Sequence, residues 1–166
     1  MKALVLADTH LGVGQGDRLT RLLGDRLRIA GAILHAGDIT DESILAALAP
    51  FAPVHAVLGN NDHGVALPER RVIELGGCRV AMVHDSGDAA GRARRLRRWF
   101  PDADVVVFGH SHLPWNEVDV RPEDGHVQHH VNPGSATQRR RAPRCTVAWL
   151  ELRAGKVESV THDGVG

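Results

Sequence analysis

Apolar residues come in short blocks along this chain, and most blocks end in a cluster of polar residues. Residues 2–7 form a near-continuous apolar run, the pattern of a strand buried on both faces, and it stops at Asp8-Thr9-His10. A glycine-rich loop follows over 12–16. Leu19, Leu22, Leu23, Leu27 and Ala30 then fall at helical spacing, with Asp17 as the N-cap and Gly31 as the stop, which predicts one helix over 17–30. The unit repeats. Residues 32–36 predict a strand ended by Gly37-Asp38. Thr40 or Asp41 caps a short helix carrying Ile44, Leu45 and Leu48, and Pro50 stops it. Residues 54–58 predict a third strand, ended by Gly59-Asn60-Asn61-Asp62-His63. Strands alternating with helices predict parallel βαβ units, in which ligands bind beyond the carboxyl ends of the strands.

The pattern then changes. Runs at 71–75 and 78–83 flank Gly76-Gly77, the signature of a two-residue hairpin, and the second run ends at His84-Asp85-Ser86-Gly87. Residues 88–100 read as a helix with Leu96, Trp99 and Phe100 facing inward. Val105 to Phe108 is a strand that ends in Gly109-His110-Ser111-His112. Runs at 117–120, 127–131, 145–152 and 156–161 predict an antiparallel tail, interrupted by Asn132-Pro133-Gly134-Ser135 and turned at Ala154-Gly155.

Composition narrows the class. A chain of 166 residues suits a single domain spanning 1–166. Twenty basic and twenty acidic residues balance, so no long-range pull toward nucleic acid or an anionic membrane is indicated. Cys78 and Cys145 lie in separate apolar runs and match neither a zinc spacing nor a disulfide framework; two buried thiols are expected. The first apolar run is too short for a signal peptide, and none approaches the roughly 20 residues of a membrane span. A soluble, cytoplasmic protein is expected.

The strand ends carry the chemistry. Asp8 and His10, Asp38, Asn60, His84, and His110 and His112 converge if their strands share one layered core. Carboxylate, carbonyl and imidazole donors suit manganese, iron or zinc, and the absence of thiolates argues against a structural zinc site. Seven donors are too many for one tetrahedral ion and suit two ions that also bind water. A pair about 3.5–4 Å apart needs a bridging ligand, and Asp38 is the natural candidate.

The order Asp-x-His, Gly-Asp, Gly-Asn-x-Asp, His, Gly-His-x-His resembles the calcineurin-like metallophosphoesterase superfamily, in its small prokaryotic phosphodiesterase branch; the retromer subunit of the same fold is similar too. The resemblance implies a four-layer α/β/β/α sandwich with mixed sheets. It implies that Asp8, His10, Asp38 and His112 hold one divalent ion and Asp38, Asn60, His84 and His110 the other, with manganese preferred and iron, zinc, nickel or cobalt as alternatives. The implied reaction is in-line attack on a small phosphodiester or nucleotide substrate by a hydroxide bridging the ions. Many relatives place a proton-donating histidine directly after the ligand asparagine. Here that residue is Asn61, which leaves Asp62 and His63 as the candidates for leaving-group protonation and favours substrates with good leaving groups. Asp85 stands where relatives often have glycine.

Two other classes stay open from the residues alone: a metal-free scaffold of this fold that binds a partner protein, and a nuclease or nucleotide-polyphosphate hydrolase. Elsewhere, His35 reads as a buried structural histidine, and His126, His129 and His130 as residues on alternating strand faces. The arginines from Arg92 to Arg98 read as a solvated helix face. Arg139, Arg140, Arg141 and Arg144 follow the Asn-Pro-Gly-Ser stretch, and one of them is expected to touch a substrate phosphate.

Overall fold

The first apolar run is strand β1 (Lys2–Leu6), and the computed structural model, which describes residues 1–166, sets it in the middle of a five-stranded sheet. It pairs in parallel with β2 (Ala32–His35), which pairs in parallel with β3 (Val54–Ala56). Helices α1 (Gly16–Leu23) and α2 (Asp25–Ile29) make the first crossover and α3 (Glu42–Leu48) the second, so both expected βαβ units are present. The single helix expected over 17–30 is broken. Gly24 sits at φ 54°, ψ −132°, outside the helical region, and Asp17 lies inside the first turn of α1 instead of capping it. Asp41 is the cap of α3; its carboxylate accepts the Ser43 N–H at 2.9 Å.

The second sheet starts with the hairpin of β4 (Arg70–Leu75) and β5 (Cys78–Val83), whose turn glycines both have positive φ. Helix α4 (Arg92–Trp99) connects β5 to β6 (Val105–Val107) in parallel. Strand β7 (Pro114–Val120) lies antiparallel to β8 (Val127–Pro133), and β8 lies parallel to β6. The last two strands, β9 (Cys145–Arg153) and β10 (Lys156–Val165), return to the first sheet, with β9 antiparallel to β1. The sheet orders are β10-β9-β1-β2-β3 and β4-β5-β6-β8-β7. The expected antiparallel tail is therefore divided between the sheets. The division falls at Asn132-Pro133-Gly134-Ser135. Pro133 faces Pro114 across the ladder, neither can donate a hydrogen bond, and Gly134 turns the chain away at φ 76°.

Three apolar layers hold the sandwich. Val5, Leu34, Val80, Met82, Val107 and Leu150 fill the space between the sheets. Leu4, Leu6, Leu19, Leu23, Ile33 and Ile44 pack the first sheet against α1–α3. Ala81, Leu96, Phe100, Val106 and Phe108 pack the second against α4. Adjacent residues of β1 serve opposite layers, the period-two geometry of a strand covered on both faces. The result is the four-layer α/β/β/α sandwich with mixed sheets. Cys78 and Cys145 are both free, Cys78 buried and Cys145 half-buried. No helix is long and apolar enough to cross a membrane. The arginines of α4 correct one expectation. Arg97 grips Asp119 at 2.7 Å, Arg95 donates to the Ser86 carbonyl at 2.7 Å, and Arg92 lies over the rings of Phe108 and Trp115, so this face is tied to the protein and not simply solvated.

Candidate metal centre

Five strands, β1, β2, β3, β5 and β6, deliver their carboxyl-terminal loops to one edge of the sandwich. Backbone bonds stitch the loops together: Asp8 N–H to Gly37 O at 2.9 Å, His10 N–H to Asp38 O at 3.0 Å, and Gly109 N–H to His84 O at 2.9 Å. Glycine makes the approach possible. A Cβ on Gly59 would stand 2.1 Å from the Asp38 nitrogen, and one on Gly109 would stand 2.9 Å from Asp8 Oδ2.

The seven residues of the expected ligand set meet there. Asp38 Oδ2 lies 3.3 Å from His10 Nε2 and 3.5 Å from His84 Nε2. Asp8 Oδ1 lies 3.5 Å from His112 Nε2 and 4.0 Å from His84 Nε2. His10 Nε2 and His112 Nε2 are 3.2 Å apart, and Asn60 Oδ1 is 3.0 Å from both His84 Nε2 and His110 Nδ1. Two groups reach metal-binding compactness, Asp8-His10-His112 and Asp8-Asp38-His84. Asp8, Asp38, His84 and His112 form a buried floor, while Asn60 and His110 stand exposed at the lip. Beside the lip a depression of about 300 Å³ is lined by Leu58, Glu69, Arg70, Val83 and Asp85.

These donors fit a cation. His84 Nδ1–H donates to the Ala36 carbonyl and His112 Nδ1–H to the Gln138 carbonyl, both at 2.7 Å, which fixes each ring with its Nε2 aimed into the cluster. Asp8 Oδ2 is buried without a partner. Burial pushes the Asp8 carboxyl up to about 7, opposed by His84 and reinforced by Asp38. Burial also acts to raise Asp38, but hydrogen bonding from His84 and from the Asn61 backbone and side chain outweighs it and holds that carboxyl below the usual range. His10 and His112 are pushed down by burial, which keeps them neutral, the state in which imidazole binds metal. Lone pairs packed this closely call for a positive charge among them.

The supporting residues are the ones sequence reasoning missed. Asn61, noted only for what it lacks, donates its N–H to Asp38 Oδ1 at 2.9 Å and its amide to Oδ2 at 2.8 Å. Ser135 Oγ donates to the Asp8 carbonyl at 2.7 Å, and the Asn132 amide to the Gly109 carbonyl at 2.9 Å. The Asn-Pro-Gly-Ser signal marked the place but not these contacts. Asp62 stands apart from the cluster. Its carboxylate accepts the N–H groups of Thr40 at 2.6 Å and Gly59 at 2.7 Å, pinning two ligand loops. The His63 side chain is exposed and makes no hydrogen bond; only its backbone N–H does, to the Asn61 carbonyl at 3.1 Å. Asp85 is also exposed, accepts the Gly87 N–H at 2.7 Å and lines the depression beside the lip. His35 is fully buried, with its Nε2 3.1 Å from Thr9 Oγ1.

A layered sandwich whose strand tips gather carboxylates, an amide and imidazoles defines a metallophosphoesterase. Residues 1–155 match the calcineurin-like phosphoesterase superfamily domain, and the chain belongs to that superfamily. It is 34% identical over 146 residues to a probable metallophosphoesterase of Methanothermobacter thermautotrophicus, covering 86% of this chain and 78% of that protein. Its fold is similar to that of an archaeal phosphodiesterase, with a TM-score of 0.72 at 17% identity and full coverage of both chains. It is also similar to Vps29 of Entamoeba histolytica in complex with zinc, with a TM-score of 0.68 at 24% identity over 98% of this chain and 97% of that one.

Proposed function

We propose that this protein is a two-metal phosphodiesterase. The reading rests on one observation: the Asp38 carboxylate lies between two imidazole sets, 3.3 Å from His10 Nε2 and 3.5 Å from His84 Nε2, where a bridging ligand belongs. In this reading Asp8, His10, Asp38 and His112 hold one ion, and Asp38, Asn60, His84 and His110 hold the other, with manganese the preferred metal. Bound there, the ions would supply positive charge to the phosphoryl oxygens and acidify the attacking water.

The chain's own groups set the geometry. Asn61 fixes both oxygens of Asp38, and the carbonyls of Ala36 and Gln138 fix the tautomers of His84 and His112. The exposed lip at Asn60 and His110 admits the substrate, and the adjoining depression has room for a small ester group. Both Asp62 oxygens already accept N–H groups, and Asn61 has no acidic proton, which favours substrates whose leaving group departs without one.

The test is hydrolysis of bis-p-nitrophenyl phosphate, p-nitrophenyl phosphate and 2′,3′-cyclic nucleotides, with manganese and with chelator. The expected result is diester hydrolysis that chelator abolishes and that Asp38→Asn lowers by several orders of magnitude. Equal rates with and without metal overturn the reading, and faster monoester than diester cleavage overturns the substrate class.

A further inference from the structure

Four arginines follow the Asn-Pro-Gly-Ser stretch, and the structure separates them. Arg139 donates to the Ala142 carbonyl at 3.2 Å. Arg144 packs beside Gly164, and its charge acts on Asp163. Arg141 is exposed and lies outside the left-handed backbone region. Arg140 differs from all three. It forms no hydrogen bond or ion pair within the protein, yet its charge acts on Asp8, His10 and His112 together.

Its position is built in. The segment before it is fastened to the ligand-bearing loops by three bonds and braced by a fourth within itself. Ser135 Oγ donates to the Asp8 carbonyl at 2.7 Å and Thr137 Oγ1 to the Thr9 carbonyl at 2.6 Å. The Gln138 N–H reaches Ser135 Oγ at 2.9 Å, and the Gln138 carbonyl accepts His112 Nδ1–H at 2.7 Å. The chain then makes a tight turn, closed by the Ala142 N–H to the Arg139 carbonyl at 2.8 Å, with Arg140 held at φ 46°. That left-handed conformation suits glycine and disfavours arginine. A non-glycine residue kept in such a conformation at the edge of a site is a mark of use.

A guanidinium carried on a turn tied to the ligand loops, with no carboxylate of its own, is free to take an anion bound at the cluster. Its planar fork matches two oxygens of one phosphoryl group. We propose that Arg140 is a specificity-determining residue that grips the non-bridging phosphoryl oxygens of the substrate held at the metal centre. This rests on the reading of the site as a phosphoesterase centre.

The test is calorimetric titration of inorganic phosphate into the manganese-loaded protein, comparing wild type with Arg140→Gly, Arg140→Lys and Arg141→Gly. Glycine adopts φ 46° freely, so the turn survives the substitution. Arg140→Gly is expected to weaken phosphate binding at least tenfold with manganese stoichiometry unchanged, and to raise KM for the diester more than it lowers kcat. Arg140→Lys keeps the charge but not the fork and is expected to recover only part of the loss, while Arg141→Gly matches wild type. Unchanged phosphate affinity in Arg140→Gly, an equal loss in Arg141→Gly, or loss of manganese from Arg140→Gly overturns the assignment to Arg140. A wild-type protein that takes up neither manganese nor phosphate overturns the phosphoesterase reading itself.

Discussion

Five of the seven proposed ligands hold a left-handed backbone: Asp8 (φ 54°), His10 (43°), Asp38 (55°), His110 (70°) and His112 (59°). Each such residue costs on the order of 1–2 kcal/mol relative to ordinary backbone. The residue types were legible in the sequence, since acid, amide and imidazole at strand ends announce themselves. Their conformation was not, because tertiary bonds impose it, such as the His110 N–H to Asp8 Oδ1 at 3.1 Å. Asp8 carries the largest conflict. Burial pushes its carboxyl up to about 7, and Oδ2 has no partner. In the unfolded chain this group ionises near pH 4, whereas the metal-free fold holds its proton until near pH 7. The unfolded state therefore binds fewer protons over that interval, and stability falls as pH rises through it. Asp8→Asn removes the penalty. Without metal, the variant is expected to exceed wild type by about 4 kcal/mol near pH 8, a rise of roughly ten degrees in Tm for a chain of this length, with no gain near pH 4. Urea titrations in chelator measure this. Adding manganese should reverse the order, because only wild type keeps a full ligand set; a variant no more stable than wild type near pH 8 contradicts the account.

At the scale of elements, the close approach of loops is the demand the sequence had to meet. A Cβ on Gly59 would lie 2.1 Å from the Asp38 nitrogen and 2.2 Å from its Oδ1. Backbone atoms cannot yield as a flexible side chain can, so Gly59→Ala is expected to destabilise by about 3 kcal/mol or more. It should also abolish manganese binding, because it displaces Asp38. Urea unfolding and metal calorimetry give the two readouts, and a variant that binds manganese normally defeats the claim. Most strands were legible because their apolar runs are bounded by glycine, proline or polar clusters. Two features were not. Helical periodicity runs unbroken through Leu19, Leu23 and Leu27, so the break at Gly24 leaves no mark in the pattern. Sheet membership of the tail depends on partners more than a hundred residues away, as in the pairing of Ala3 with Leu150. Local spacing reports that a segment is a strand, and only long-range packing decides which sheet receives it.

At the scale of the molecule, the candidate site exists only where the two sheets meet. Asp8, His10, Asp38 and Asn60 come from one sheet, and His84, His110 and His112 from the other. The order of these residues was legible because parallel strands bring their carboxyl ends to one edge; how the second sheet's edge faces the first was not, because the core packing sets it. Covering the outer faces of the sheets also traps histidines. His35 is fully buried with Nδ1 unpartnered, and His130 is fully buried with only Nε2 bonded, to Gln128 Oε1 at 2.9 Å. Burial pushes His130 down and His35 to about 4. The unfolded chain protonates His35 near pH 6.5, and the folded chain resists until about pH 4. The unfolded state thus binds more protons across that window, and stability present above pH 6.5 is lost as pH falls toward 4. For His35 alone the shift corresponds to about 3 kcal/mol. His35→Gln keeps a hydrogen-bonding group but cannot titrate, so its stability should fall less steeply between pH 7 and pH 4 than that of wild type, whatever its offset at neutrality. Urea midpoints in chelator at closely spaced pH values measure the two slopes with the metal ligands present in both. Parallel slopes would mean that acid opens the sandwich through other groups and that His35 is already protonated inside it.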